Sequence, residues 1–246
     1  MAEFIAGRHS VLEALKSGRS INRIFILRGM KEGAVREVIG LARERGIPFQ
    51  EAERNYLDGL TKERHQGMVA EVSPYAYVEI EDIIQFARGK GEDPLVLILA
   101  ELEDPHNFGA ILRTAEAVGV HGVIIPKRRS VQLNATVAKV SSGAAEYVPV
   151  ARVANLAQAV EALKEFGLWV TGADMDGENS LWQANLAGPL AVVVGAEGHG
   201  ISRLLKEKCD FLTSIPMRGR ISSLNASVAA SVVLFEIMRQ RAKTGE

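Results

Sequence analysis

LVLIL at residues 95–99 and LAVVV at residues 190–194 decide the fold. Each is a continuous apolar run rather than an alternation of apolar and polar residues, the mark of a strand buried on both faces. Working outward, GVII at 122–125, LWVT at 168–171 and FLTSI at 211–215 read as further strands. Helical periodicity falls between and after them, at Ala110–Val118, Val131–Ser141, Leu156–Phe166, Ser202–Lys208 and Asn225–Arg241. Strand-helix alternation of this kind predicts an α/β domain with a mainly parallel sheet covered by helices. Ligands of such sheets bind beyond the carboxyl ends of the strands, which directs attention to the loops after Leu99, Val194 and Ile215.

The amino-terminal part has a different texture. A helix is expected at His9–Leu15, a buried strand at Arg23–Leu27 and an amphipathic helix at Gly33–Arg45, with strands at Ile47–Glu51 and Gly67–Val72. The pattern breaks at Ser73-Pro74. A connector with one short helix, Ile80–Ala87, follows and is ended by Gly89, Gly91 and Pro94. The expected organisation is a small α/β domain over 1–73, a linker over 74–93 and a larger domain over 94–246.

Composition narrows the functional classes. A chain of 246 residues, 47% hydrophobic and 24% charged, is neither disordered nor fibrous. The single cysteine, Cys209, cannot form an internal disulfide, and no histidine or cysteine spacing suggests a metal site, so a reducing cytoplasm is expected. The amino terminus does not read as a signal peptide, and the longest apolar tract, Val228–Met238, is too short to span a bilayer; no membrane role is expected. The net charge is −1, with 12 Lys/Arg against 10 Asp/Glu in 1–73 and 17 against 20 in 74–246. Local basic clusters, Lys127-Arg128-Arg129 and Arg218 with Arg220, are where phosphate contact would be sought.

Three loops hold the chemistry. In ELEDPHNFGAILR, 101–113, Pro105 ends the extended segment; by itself Asn107 reads first as a helix cap and Arg113 as a surface residue. VGAEGHGIS, 194–202, is a glycine-rich turn where a ligand can approach the backbone. Its G-x-x-G-x-G spacing is not the dinucleotide fingerprint, and Glu197 would repel a phosphate but suit a ribose hydroxyl. In IPMRGRISSLNAS, 215–227, Ser223 and Asn225 stand at a helix entrance, which capping alone would also explain.

Together and in this order, DPHNFGAILRTAEAVG, VVVGAEGHGIS and IPMRGRISSLNASVAAS resemble the three motifs of the SpoU-type RNA ribose 2′-O-methyltransferases of the SPOUT class. GRHSVLEAL and RHQGMVAEV resemble the small substrate-binding domain of the branch that modifies guanosine of large-subunit ribosomal RNA, so the resemblance covers nearly the whole chain. Ala226 and Ser231 depart from the family's usual valine and glycine.

The resemblance implies a trefoil-knotted SPOUT catalytic domain preceded by a small α/β ribosomal-protein-like RNA-binding domain. It also implies S-adenosyl-L-methionine as cofactor, RNA (23S ribosomal RNA) as substrate, and a homodimer. Carried over position by position, Asn107, Arg113, Glu197, Ser223 and Asn225 fall on catalytic positions, and Gly195, Ile215, Met217 and Leu224 on cofactor contacts. Because a guanidinium stays protonated, the expected role of Arg113 is to stabilise a developing alkoxide rather than to take its proton.

Overall fold

The computed structural model describes residues 3–19, 21–30, 33–45, 47–72, 76–127, 129–195, 200–220 and 223–244. The Ser73-Pro74 break, Arg128 and Glu197 lie outside the described residues. In chain order the elements begin β1 (Glu3–Ala6), α1 (Arg8–Lys16), β2 (Ile21–Leu27), α2 (Ala34–Glu44), β3 (Phe49–Ala52), α3 (Arg54–Leu60) and β4 (Met68–Val72). They continue with α4 (Ile80–Gly89), β5 (Leu95–Leu99), α5 (Pro105–Val118), β6 (Gly122–Pro126) and α6 (Ala135–Val140). A 3-10 turn (Ala144–Glu146) leads to β7 (Val150–Val153), α7 (Leu156–Glu165), β8 (Trp169–Ala173), β9 (Asn179–Ser180) and β10 (Leu190–Val194). Then come α8 (Arg203–Lys208), β11 (Phe211–Ser214) and α9 (Ala226–Thr244). None of the described helices is long and apolar enough to cross a membrane.

The chain packs as two compact units, Met1–Ala76 with Leu133–Tyr147, and Tyr77–Gln132 with Val148–Glu246. In the first, a four-stranded sheet of order β1-β4-β2-β3 is antiparallel except for the β2–β3 pair. One face packs on α1 and α2 through Val11, Leu15, Val35 and Val38; the other meets Leu57 of α3 through Phe25 and Val69. The excursion 133–147, expected from its position in the chain to go with the larger domain, is bound here by a buried ion pair. Arg19 donates to Glu146 at 2.8 Å, with the two side chains 7% and 5% exposed. Burial pushes the Glu146 carboxyl up, and the Arg19 guanidinium opposes that. A buried charge that loses its partner costs about 3–5 kcal/mol, so this pair ties the excursion to the unit firmly.

The second unit is built on a seven-stranded sheet of order β7-β6-β5-β10-β8-β11-β9, every pair parallel. All five residues of β5 and of β10 are buried, as their unbroken apolar runs predict. The chain lays down β5, β6 and β7 in one direction, then returns to place β10 and β8 on the other side of β5. Such sheets bind ligands at this kind of reversal, beyond the carboxyl ends of the strands, here those of β5 and β10. Register aligns the ends: Val194 lies opposite both Leu99 and Ala173, and Thr213 opposite Ala173.

Candidate active site

The first loop enters α5 earlier than its sequence suggests. Asp104, not Asn107, is the N-cap: its Oδ1 accepts the His106 amide at 3.0 Å, and Pro105 takes the first helical position, where a missing N–H costs nothing. Asn107 is therefore the third residue of the helix, and its side chain is not the cap. Its Oδ1 accepts a hydrogen bond from Asn225 Nδ2 at 3.0 Å, across 118 residues of chain.

Asn225 does two things at once. Its Oδ1 caps α9, accepting the amides of Ser227 at 3.0 Å and Val228 at 3.3 Å, while its amide reaches Asn107. Two turns further on, Thr114 Oγ1 and Ser231 Oγ meet at 2.9 Å. These paired contacts, both helices advancing together, show that α5 and α9 run parallel, with their amino termini joined beside the first and third loops. Ser231, a departure from the family pattern, thus makes a direct contact between the helices.

Arg113 precedes Thr114 by one residue, about 100° round the helix from the contact with α9. It is exposed and, among the described residues, has no hydrogen-bond or ion-pair partner. Ser223 is likewise exposed. Ile215 and Leu224 are half-buried, whereas Met217, Arg218 and Arg220 face solvent. In the second loop, a side chain at Gly195 would collide with the backbone of Gly200 and Ile201, so only glycine fits at this position. A glycine that admits close backbone approach, partly buried apolar side chains and exposed polar groups are residue types that suit a nucleoside cofactor. Burial pushes the lone thiol, Cys209, up to about 11, which disfavours its thiolate form.

The sequence reading missed a fourth loop, because it ended the β8 strand at Thr171. The loop after β8 starts at Asp174, between the ends of β10 and β11 in the sheet order. An acid directly after a buried strand, in GAD, was the available signal.

In the first unit, the two stretches GRHSVLEAL and RHQGMVAEV meet. Gly7 donates its amide to Met68 O at 3.0 Å, and Arg8 Nε donates to Gln66 O at 3.2 Å. His65 is buried; its Nδ1 accepts the Gly67 amide at 2.9 Å and its Nε2 bonds Asp58 at 2.9 Å, so the histidine shapes the turn into β4.

Two family models match this chain, in separate stretches. The model of the SpoU rRNA Methylase family matches residues 94–235, and that for RNA 2′-O ribose methyltransferase substrate binding matches 4–78. YacO of Bacillus subtilis (strain 168), named for the TrmH family of tRNA/rRNA methyltransferases, is 48% identical over 99% of this chain and 98% of its own. The SpoU methyltransferase AviRb of Streptomyces viridochromogenes, solved with AdoMet, superposes with a TM-score of 0.82 at 26% identity, covering 98% of this chain and 91% of that one. The TrmH/SpoU tRNA modifying enzyme of A. aeolicus covers 67% of this chain and 85% of its own, with a TM-score of 0.58 at 29% identity. With both halves matched by family models and a relative 48% identical along almost its full length, this chain belongs to the SpoU rRNA methylase family.

Proposed function

We propose that this protein transfers a methyl group from S-adenosyl-L-methionine to the ribose 2′-hydroxyl of a guanosine in 23S ribosomal RNA, in the cytoplasm. RNA 2′-O-ribose methylation follows from the family; the particular RNA and nucleotide are our reading. The observation that supports it most is the Asn225–Asn107 hydrogen bond, which joins the first and third loops, the segments that would meet the ribose and the cofactor. S-adenosyl-L-methionine supplies the electrophilic methyl group when bound.

The chain's own residues then have distinct tasks. Gly195, Ile215, Met217 and Leu224 hold the cofactor. Asn107, Ser223 and Asn225 orient the ribose side of the site, and Glu197 positions Asn107 or the ribose. Arg113 stabilises the negative charge that grows on the ribose oxygen as the O–C bond forms and the C–S bond breaks; the hydroxyl proton leaves to phosphate or water. Holding the two reactants in line contributes much of the rate. The first unit binds the RNA. The exposed apolar stripe of α9, Val228, Phe235 and Met238, is the surface through which two copies pair.

Mapping ribose methylation in ribosomal and transfer RNA from cells with and without the gene tests the substrate. A guanosine of 23S RNA that loses its methyl group supports the proposal, and loss confined to transfer RNA, a substrate in the name of YacO, overturns it. Sedimentation at micromolar concentration tests the dimer: a fully active monomer would count against it.

A further inference from the structure

Asp174 is almost fully buried, its side chain 3% exposed, yet it holds no place among the residues expected to act. Three of its groups reach three different elements. Its backbone amide donates to Thr213 O at 2.9 Å, at the end of β11. Its Oδ2 accepts the Ile201 amide at 3.4 Å and lies against Gly200, whose φ of +64° already favours glycine; a Cβ there would stand 3.0 Å from that oxygen. Its Oδ1 accepts Lys206 Nζ of α8 at 2.7 Å and the Asp176 amide at 3.1 Å. Three residues after Asp174, Gly177 crosses β11 so closely that a side chain would strike the backbone of Thr213 and Ser214.

We propose that Asp174 is a positioning residue for the cofactor: it fixes the exit of the glycine-rich turn at Gly200 and Ile201 to the end of β11, and so sets the spacing between Gly195 and the Ile215–Met217 segment. The inference rests on the cofactor site proposed above. A carboxylate suits the task because it accepts from a main-chain amide and an ammonium group together. Burial, the largest single influence, would raise its pKa, but the Lys206 ammonium and the Asp176 and Ile201 amides outweigh it and hold the carboxyl below its usual range. Lys206, also bonded to Asp176 at 2.9 Å, is raised in turn, first by its bond to Asp174. The group is therefore ionised throughout the working range and acts as a fixed brace, without taking part in proton transfer.

Asp174→Asn keeps the shape and removes the charge. Calorimetry of the full-length protein with S-adenosyl-L-methionine should show cofactor affinity weakened about tenfold, the scale of one charge-assisted hydrogen bond. The KM for RNA and the rate at saturating cofactor should stay within about threefold of wild type, a split that mere loss of folded protein would not produce, since misfolding lowers the active fraction and leaves affinity alone. Lys206→Met, on a partly exposed helix, should weaken cofactor binding in the same direction, with Lys206→Arg restoring most of it. Unchanged cofactor affinity in Asp174→Asn overturns the proposal; should that variant fail to fold, unchanged affinity in Lys206→Met overturns it. If the wild-type protein itself binds no S-adenosyl-L-methionine, the cofactor reading fails, an outcome distinct from a bound wild type with an equally well-bound variant.

Discussion

The two ends of the seven-stranded sheet are built on opposite principles. At the amino ends of the strands, side chains are spent on closing the backbone. Arg241 donates to the carbonyls of Asp93 at 2.8 Å, Pro94 at 3.1 Å and Gly188 at 2.5 Å, clamping the entries to β5 and β10 against α9. His121 is buried there, its Nδ1 accepting the Leu95 amide at 3.0 Å and its Nε2 bonded to Glu92 at 3.0 Å. Beyond the carboxyl ends, Asn225 joins Asn107 and the buried Asp174 holds Ile201 and Lys206, while Arg113, Ser223 and Met217 are exposed. The difference teaches that one end of the strands is devoted to fixing the backbone, whereas the other combines fixed contacts with exposed side chains that a ligand can reach.

Substitutions at the two ends should therefore separate rate from stability. The largest effect is expected at the open end. Arg113→Ala should lower single-turnover methyl transfer by about a hundredfold or more, the scale of losing a preorganised donor to a developing oxyanion, with cofactor affinity and unfolding nearly unchanged. Arg113→Lys should recover little, because lysine lacks the planar fork. A wild-type rate in Arg113→Ala would remove the catalytic half of the contrast.

At the closed end the order reverses. Arg241→Met leaves three carbonyls without their donor and should cost roughly 2–3 kcal/mol in denaturant unfolding, while each folded molecule transfers methyl groups at the wild-type rate. A large loss of rate at full stability would show that the two ends are not separable.

Asn225 stands at the boundary between the two principles, because its oxygen caps and its amide reaches Asn107. Asn225→Ala should cost about 1 kcal/mol of stability through the lost cap. Asn225→Asp keeps the cap oxygen and should unfold within a few tenths of a kcal/mol of wild type, yet it cannot donate to Asn107 Oδ1 and should lose methyl transfer as Asn225→Ala does. Equal activity in Asn225→Asp and wild type would reduce Asn225 to a cap.

The smallest effect is one of pH. Burial, only partly offset by Glu92, holds His121 below its usual value of 6.5. The unfolded chain then takes up a proton before the folded one does, so this site's contribution is complete above pH 6.5 and declines as pH falls toward the lower folded value. Denaturant unfolding from about pH 5 to 7.5 should show that slope in wild type and a shallower one in His121→Gln. Asp174, at the other end, is held below 3.8 and should contribute nothing to the slope in that window. Identical slopes in the two proteins would mean that His121 does not sense pH.

Elements buried on both faces were the most legible. Leu95–Leu99 and Leu190–Val194 are strands at the bounds their apolar runs predict. Short edge strands were not: β1, four residues, and β7, half-exposed at the sheet margin, leave too little pattern to read. The α5 helix was read as starting at Ala110, five residues late, because Asp104-Pro105 looked like the end of an extended segment rather than a cap and first turn. The three loops were legible as a set through resemblance, whereas the bonds among their residues were not.

The sequence by itself determined what repeats locally or matches a known pattern: the strand-helix alternation, the glycine-rich turn and the motifs that mark the family. Tertiary structure alone decided that β10 lies between β5 and β8, that Asn225 meets Asn107, that Glu146 pairs with Arg19 and that Asp174 braces the turn. The physical reason is the range of each interaction. Periodicity records which face of one element is buried, but partners separated by 27 to 127 residues are chosen by the packing of whole layers, which no local window contains.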